Sequence, residues 1–126
     1  MLLVEPKTNF VDDRGLIKDI LVKEPVDAIT VIESKAGVVR GNHYHKETVQ
    51  WVYLHSGKIK SLTQNKGEKV LATILNPGHL LRTDVNESHA LEALEDSIFY
   101  VLTCGPRSGR DYESDTFRLE TPLKES

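Results

Sequence analysis

The chain has one cysteine, Cys104, so no disulfide can form within it, which fits a reducing compartment. As a lone residue at the end of an apolar run, Cys104 reads as a small strand-end side chain and not as a catalytic thiol. No apolar run approaches membrane-spanning length, and the opening "MLLVEPKTNFVDDRG" meets a proline and charges too early for the core of a signal peptide. The expectation is a soluble, cytoplasmic protein with no membrane partner. An excess of basic charge is also missing. Lys and Arg number 16 against 19 Asp and Glu, for a formal net charge of -3, with no basic stripe for nucleic acid. Internal repeats and low-complexity tracts are absent too. What remains is a chain of 126 residues, enough for one domain over 1–126 that buries roughly two-thirds of its unfolded surface.

Short runs rich in β-branched and aromatic residues recur: "LIKDILV", "DAITVIES", "TVQWVYLHS", "KIKSLTQ", "VLATILN", "HLLRTD", "HALEAL" and "SIFYVLT". Between them "HSGK", "NKGE", "NPGH", "DVNES" and "LEDS" supply residues that tolerate positive φ or cap tight turns. Strand-length pieces at near-regular intervals predict an all-β antiparallel sandwich or barrel, with core strands over about 16–104. "HALEALED" could be written as a helix, but it is short and lies in hairpin context, so a strand is expected. In "TVQWVYLHS" both faces carry large groups: Val49, Trp51 and Tyr53 on one, Gln50, Val52 and Leu54 on the other. Such a strand is expected to be covered on both sides, by the barrel interior and by a second sheet or partner subunit. A homodimer would supply that cover.

"GVVRGNHYHKETVQW" places two histidines one residue apart. In a strand, His43 and His45 leave the same face with Cα atoms roughly 6.5–7 Å apart, close enough to converge on one ion or ligand. Tyr44 then points the other way. Five residues separate Gly37 from His43, four separate His45 from Gln50, and six separate Gln50 from Gly57. A Pro77-Gly78 turn, a short strand and a loop then lead to His89. His55 and His79 read as barrel-end residues, and Asp13 and Arg14 as turn formers.

This layout resembles the two motifs of the cupin superfamily, a glycine and five residues before His-x-His, then an acid, six residues and a glycine, with a third histidine after a Pro-Gly turn. The resemblance covers 37–57 and 77–89 and implies a small single-domain jelly roll, the double-stranded β-helix. It also implies a metal set of His43, His45 and His89 with Gln50 in the acid's place. Three imidazoles can hold zinc, manganese, iron or nickel, but an amide adds no charge. "FVDDRGLIKDI" and "VVRGNHYHKETVQ" further resemble the sugar-nucleotide 3,5-epimerases and 3,4-ketoisomerases; in the ketoisomerases a glutamine is common at that position, and the resemblance implies that no metal is required.

By that likeness His43 and His45 are acid-base groups acting on a 4-keto-6-deoxysugar nucleotide in polysaccharide biosynthesis. Arg40 faces the diphosphate. From their own chemistry, and not from the likeness, Tyr53 and Tyr100 are candidate substrate-binding donors to an enolate oxygen. The chemistry suits histidine, because moving a carbonyl along a sugar needs a proton taken from one carbon and returned to a neighbouring atom near neutral pH. Two alternatives stand beside this expectation: a metal-binding cupin with other small-molecule chemistry, and a non-enzymatic effector-binding cupin. The tail, 105–126, is expected either to lie across the barrel or over a partner, anchored by Tyr112 and Phe117, or to remain a solvated tail.

Overall fold

The computed structural model describes residues 1–106 and 113–125. Tyr112, expected as an anchor, lies outside the described residues. Twelve strands follow one another: β1 Leu2–Val4, β2 Phe10–Asp12, β3 Gly15–Ile17, β4 Ala28–Ser34, β5 Val39–Tyr44, β6 Val49–Ser56, β7 Ile59–Gln64, β8 Leu71–Leu75, β9 Leu80–Thr83, β10 Ser88–Ala93, β11 Ser97–Cys104 and β12 Phe117–Arg118. There is no helix among the described residues, and the segment around Leu91 is a strand, as expected.

The period-two alternation of the sequence is what sorts side chains into the interior. In β11, Ser97, Phe99, Val101 and Thr103 are buried while Ile98, Tyr100, Leu102 and Cys104 are partly exposed. In β7, Ile59, Ser61 and Thr63 are the buried set. Antiparallel pairing assembles one sheet in the order β1-β9-β6-β11-β4 and a second in the order β12-β5-β10-β7-β8, facing each other as a jelly roll. β2 and β3 form a separate hairpin. The run 16–22, expected as one strand, gives only Leu16 and Ile17 to β3. After that Asp19 N–H bonds the Asn9 side chain at 2.6 Å, and the chain turns to lie beside Tyr53 and Tyr100.

Register divides the interior into two ends. At one end Val52, Leu54, Ile59, Leu75, Leu81, Ala93 and Phe99 make the core, with Leu91 and Val101 beside them. At the other, Gln50 pairs with Thr83 on β9 and with Thr103 on β11, while His89 pairs with Thr63 on β7 and with His43 on β5. All of these but His43 are buried. The apolar end supplies the hydrophobic stabilisation, and the polar end is where a ligand would find hydrogen-bonding groups out of water.

Candidate active site

β5 carries two of the histidines, and it is irregular where they begin. The pairing of β5 with β10 shifts between His89 and Ala90, and Gly41 and Asn42 take φ of +97° and +57°. One extra residue on β5 is a bulge, which reverses the alternation. Arg40 and His43 are three apart and would face opposite ways on a regular strand. Across the bulge Arg40 pairs with Leu91 and His43 with His89, both inward residues of β10, so Arg40 comes to the same side as the histidines. Glycine is required at 41, because a Cβ there would come within 2.9 Å of the His89 carbonyl oxygen and 3.2 Å of Ala90 Cα.

The nitrogen atoms that His43, His45 and His89 offer lie within 4.8 Å of one another. Ring centroids are 5.0 Å apart for His43 and His45, 4.7 Å for His43 and His89, and 5.1 Å for His45 and His89. His45 and His89 are 1% and 3% exposed. His45 Nδ1 lies 2.8 Å from the Asp115 carbonyl oxygen, and His89 Nδ1 lies 3.1 Å from that of Glu87. A carbonyl only accepts, so in the neutral ring each Nδ1 carries the proton and each Nε2 the lone pair. The Glu87 carboxylate, itself buried, accepts from Asp84 N–H at 3.1 Å and from the Met1 amino group at 2.8 Å.

Gln50 is 5% exposed and borders, with His43, His89, Arg40 and Gly41, a cavity of about 60 Å³. The Arg40 guanidinium is held by Ser34 Oγ at 2.8 Å and by the Glu33 carbonyl at 3.0 Å, two of its five N–H groups. A much larger hollow of about 530 Å³ lies on the outer side of the same sheet, between Tyr44, Lys46, Lys66 and Ser88, and none of the three histidines lines it. His43 and His89 border the small cavity instead, with His45 beside them.

The structure therefore brings His43, His45, His89, Gln50 and Arg40 together. It does not bring Tyr53 and Tyr100 to them, and their expected place beside the histidines is corrected. Tyr53 is three positions from Gln50 and falls on the opposite parity, and Tyr100 pairs with it. Both stand on the outer face, bordering with Lys18 and Ile29 a hollow of about 390 Å³. Arg14 folds back on Asp12, 3.0 Å from Nε and 2.7 Å from Nη2. His79 Nδ1 accepts from Asn76 N–H at 3.0 Å to close the Pro77-Gly78 turn, and His55 is on the outer face, its ring 6.1 Å from that of Tyr100. Burial first, and then the Asp27 carboxylate, push the Cys104 thiol above its usual range, which leaves little thiolate for catalysis.

Four residues of this end were not singled out from sequence. Thr63, Thr83 and Thr103 are buried beside the histidines and Gln50. The signal for them was a threonine at the inward parity of "KIKSLTQ", "HLLRTD" and "SIFYVLT". The Thr63 and Thr83 hydroxyls have no hydrogen-bond partner among the described residues, so a ligand or water that met them would offset a real cost. Asp115 had no such signal. Burial alone would raise its carboxyl, but the Thr48 hydroxyl and the amides of Glu47, Lys46 and Thr48 outweigh that and hold it below the usual carboxylate range.

No family model matches the sequence, and neither does any curated protein. Solved structures do match. The chain superimposes on dTDP-4-dehydrorhamnose 3,5-epimerase from Sulfolobus tokodaii with a TM-score of 0.75 and 24% identity, covering 90% of this chain and 73% of that one. It superimposes on QdtA, a sugar 3,4-ketoisomerase from Thermoanaerobacterium thermosaccharolyticum in complex with TDP, with a TM-score of 0.78 and 19% identity, covering 94% and 88%. A mutant of the same ketoisomerase in complex with TDP-4-keto-6-deoxyglucose gives 0.77 and 19%, over 94% and 86%. The fold is that of the cupins. Likeness at this identity establishes the architecture, and any reading of function rests on the side chains at the polar end of the barrel.

Proposed function

We propose that the protein is a sugar-nucleotide isomerase or epimerase, acting by histidine acid-base catalysis on a 4-keto-6-deoxysugar nucleotide in cytoplasmic polysaccharide biosynthesis. The observation that carries this is the convergence of three imidazoles at the polar end of a barrel that has the fold of dTDP-sugar epimerases and a 3,4-ketoisomerase. In this reading a histidine Nε2 removes the proton from the carbon beside the ketone, giving an enediolate. A second imidazole returns a proton to the neighbouring position. Thr63 and Thr83 hydroxyls are available to the sugar's oxygens, and the remaining N–H groups of Arg40 to the diphosphate.

Ligand pockets usually measure roughly 300–1,000 Å³, so the cavity of about 60 Å³ takes only the reacting end of such a substrate. The nucleotide lies outside it, past Arg40. A homodimer completes the proposal, covering the outer face of the β6 sheet.

A second reading is favoured by the same small cavity. Three imidazole nitrogens within 4.8 Å need only small ring movements to reach the roughly 3.3 Å nitrogen spacing of a tetrahedral zinc site. His43, His45 and His89 would hold a divalent zinc, manganese, iron or nickel ion, with Gln50 as a neutral fourth group. Bound there, the ion would supply Lewis-acid polarisation of a substrate oxygen. A third, non-enzymatic effector-binding role would use the same groups without turnover.

Incubating the protein with a dTDP-4-keto-6-deoxysugar in heavy water tests the first reading. Deuterium should enter beside the carbonyl, and His43→Ala and His45→Ala should each abolish it in a folded barrel. Full exchange in both variants would rule out the assignment. Exchange in no nucleotide sugar, with near-stoichiometric transition metal after purification without added metal, would place the second reading ahead.

A further inference from the structure

The segment after the undescribed residues is built into the strand that carries two histidines. β12 pairs with β5, Phe117 opposite Tyr44 and Arg118 opposite His43. The Phe117 ring stacks on Tyr44 with centroids 5.4 Å apart and planes 21° apart, and the Lys46 ammonium lies 4.1 Å over the Phe117 ring. Further on, Leu119 N–H bonds the Asn42 carbonyl and Leu123 N–H the Asn42 side chain, each at 2.9 Å. Asn42 is a bulge residue, so this strap also holds the irregularity that aims His43.

Asp115 begins the strap. It is 3% exposed, and its carboxylate accepts from Lys46 N–H at 3.0 Å, Glu47 N–H at 2.9 Å and the Thr48 hydroxyl at 2.8 Å. Those three residues are the whole turn from His45 into β6. Three donors on one buried carboxylate fix that turn and the Asp115 main chain against each other. The Asp115 carbonyl then faces His45 Nδ1 at 2.8 Å.

We propose that Asp115 is a positioning residue for His45: its carboxylate clamps the β5–β6 turn, and so holds its own carbonyl where it fixes His45 with the proton on Nδ1 and the lone pair on Nε2. What His45 then does rests on the proton-transfer reading. How His45 is held does not. A histidine that must take a proton at one nitrogen works only in one tautomer and ring orientation, and here a carbonyl on the C-terminal strap selects both.

Nitrogen-15 NMR of histidine-labelled protein, at a pH where the rings are neutral, reads the tautomer directly. In the wild type His45 should give the shifts of an Nδ1–H ring. Asp115→Ala should move them toward the tautomer mixture of a free imidazole, and Asp115→Asn, whose amide oxygen still accepts, should restore most of the original pattern. In the heavy-water assay kcat should fall about tenfold or more in Asp115→Ala with KM changed less than about threefold, and recover in part in Asp115→Asn. Because a loss of folded protein alone would lower kcat at unchanged KM, the rate is taken per folded protein, measured by the NMR signals of the same sample. Should Asp115→Ala fail to fold, Thr48→Val removes one donor at nearly constant shape and should speed solvent exchange of the His45 Nδ1 proton. His45 signals unchanged in folded Asp115→Ala or, where that variant does not fold, a His45 Nδ1 proton that exchanges no faster in Thr48→Val, would overturn the proposal. The NMR readout decides it whether or not the wild type exchanges protons on any nucleotide sugar.

Discussion

Gln50 occupies the centre of the polar end, between Thr83 and Thr103 in register and against the cavity shared with His43 and His89. A neutral amide there places no fixed charge against the imidazoles on that side. Gln50→Glu changes one atom and adds a negative charge in a partly desolvated site. Its attraction for a dication should tighten zinc or manganese binding by at least about tenfold, about 1.4 kcal/mol. The same carboxylate would stabilise imidazolium, so proton abstraction at neutral pH should slow. Calorimetric titration with metal and a pH-rate profile measure the two halves. Unchanged metal affinity in a folded variant would mean that the amide does not face the histidines.

The decisive element is β5, because its bulge determines which side chains share the cavity. Gly41→Ala would drive a Cβ to 2.9 Å from the His89 carbonyl oxygen, with a φ of +97° that an L side chain resists. Both contacts are backbone, so β10 must move, and a loss on the order of 1–3 kcal/mol is expected in chemical denaturation. Gly67→Ala is the control: its φ is +81° but its Cβ would meet nothing within 4 Å. If the two variants unfold at the same denaturant concentration, the close approach at His89 is not what glycine at 41 serves. The bulge also marks where sequence ceased to be informative. Parity grouped Gln50 with Val52 and Leu54 on one face of β6 without saying which face is the interior, and spacing brought His43, His45 and His89 into one group. By the same parity Tyr53 faces away from Gln50 and outward, so the chemical argument that offered its hydroxyl to an enolate oxygen was at odds with the alternation of its own strand. The strap stayed ambiguous because β12 is two residues long and is held by one carboxylate, one ring stack and main-chain N–H bonds to Asn42. None of these leaves a periodic trace in a polar tail.

At the scale of the molecule, the outer face of the β6 sheet is covered unevenly. Arg82 lies over Trp51, its guanidinium carbon 5.6 Å from the ring, and 18–21 shelter part of Tyr53. On the edge strand β4, however, Ile29 and Val31 are 68% and 59% exposed. The β2–β3 hairpin adds Phe10, Val11, Leu16 and Ile17, all exposed, on a two-stranded unit that is marginal without a neighbour. An apolar face of this kind beside an open sheet edge invites pairing or aggregation unless something covers it. A second copy of the chain presents the same apolar face, and a two-fold arrangement would cover both. Wild-type protein at micromolar concentration should then sediment at twice the 14.2 kDa chain mass. Ile29→Asp with Val31→Asp places two charges on each side of such a contact, unpaired and facing their counterparts, and should yield a folded monomer. A wild type that sediments as a monomer removes the dimer from the proposal. A double variant that stays dimeric moves the interface away from β4, and the exposed hairpin is then the surface to change next.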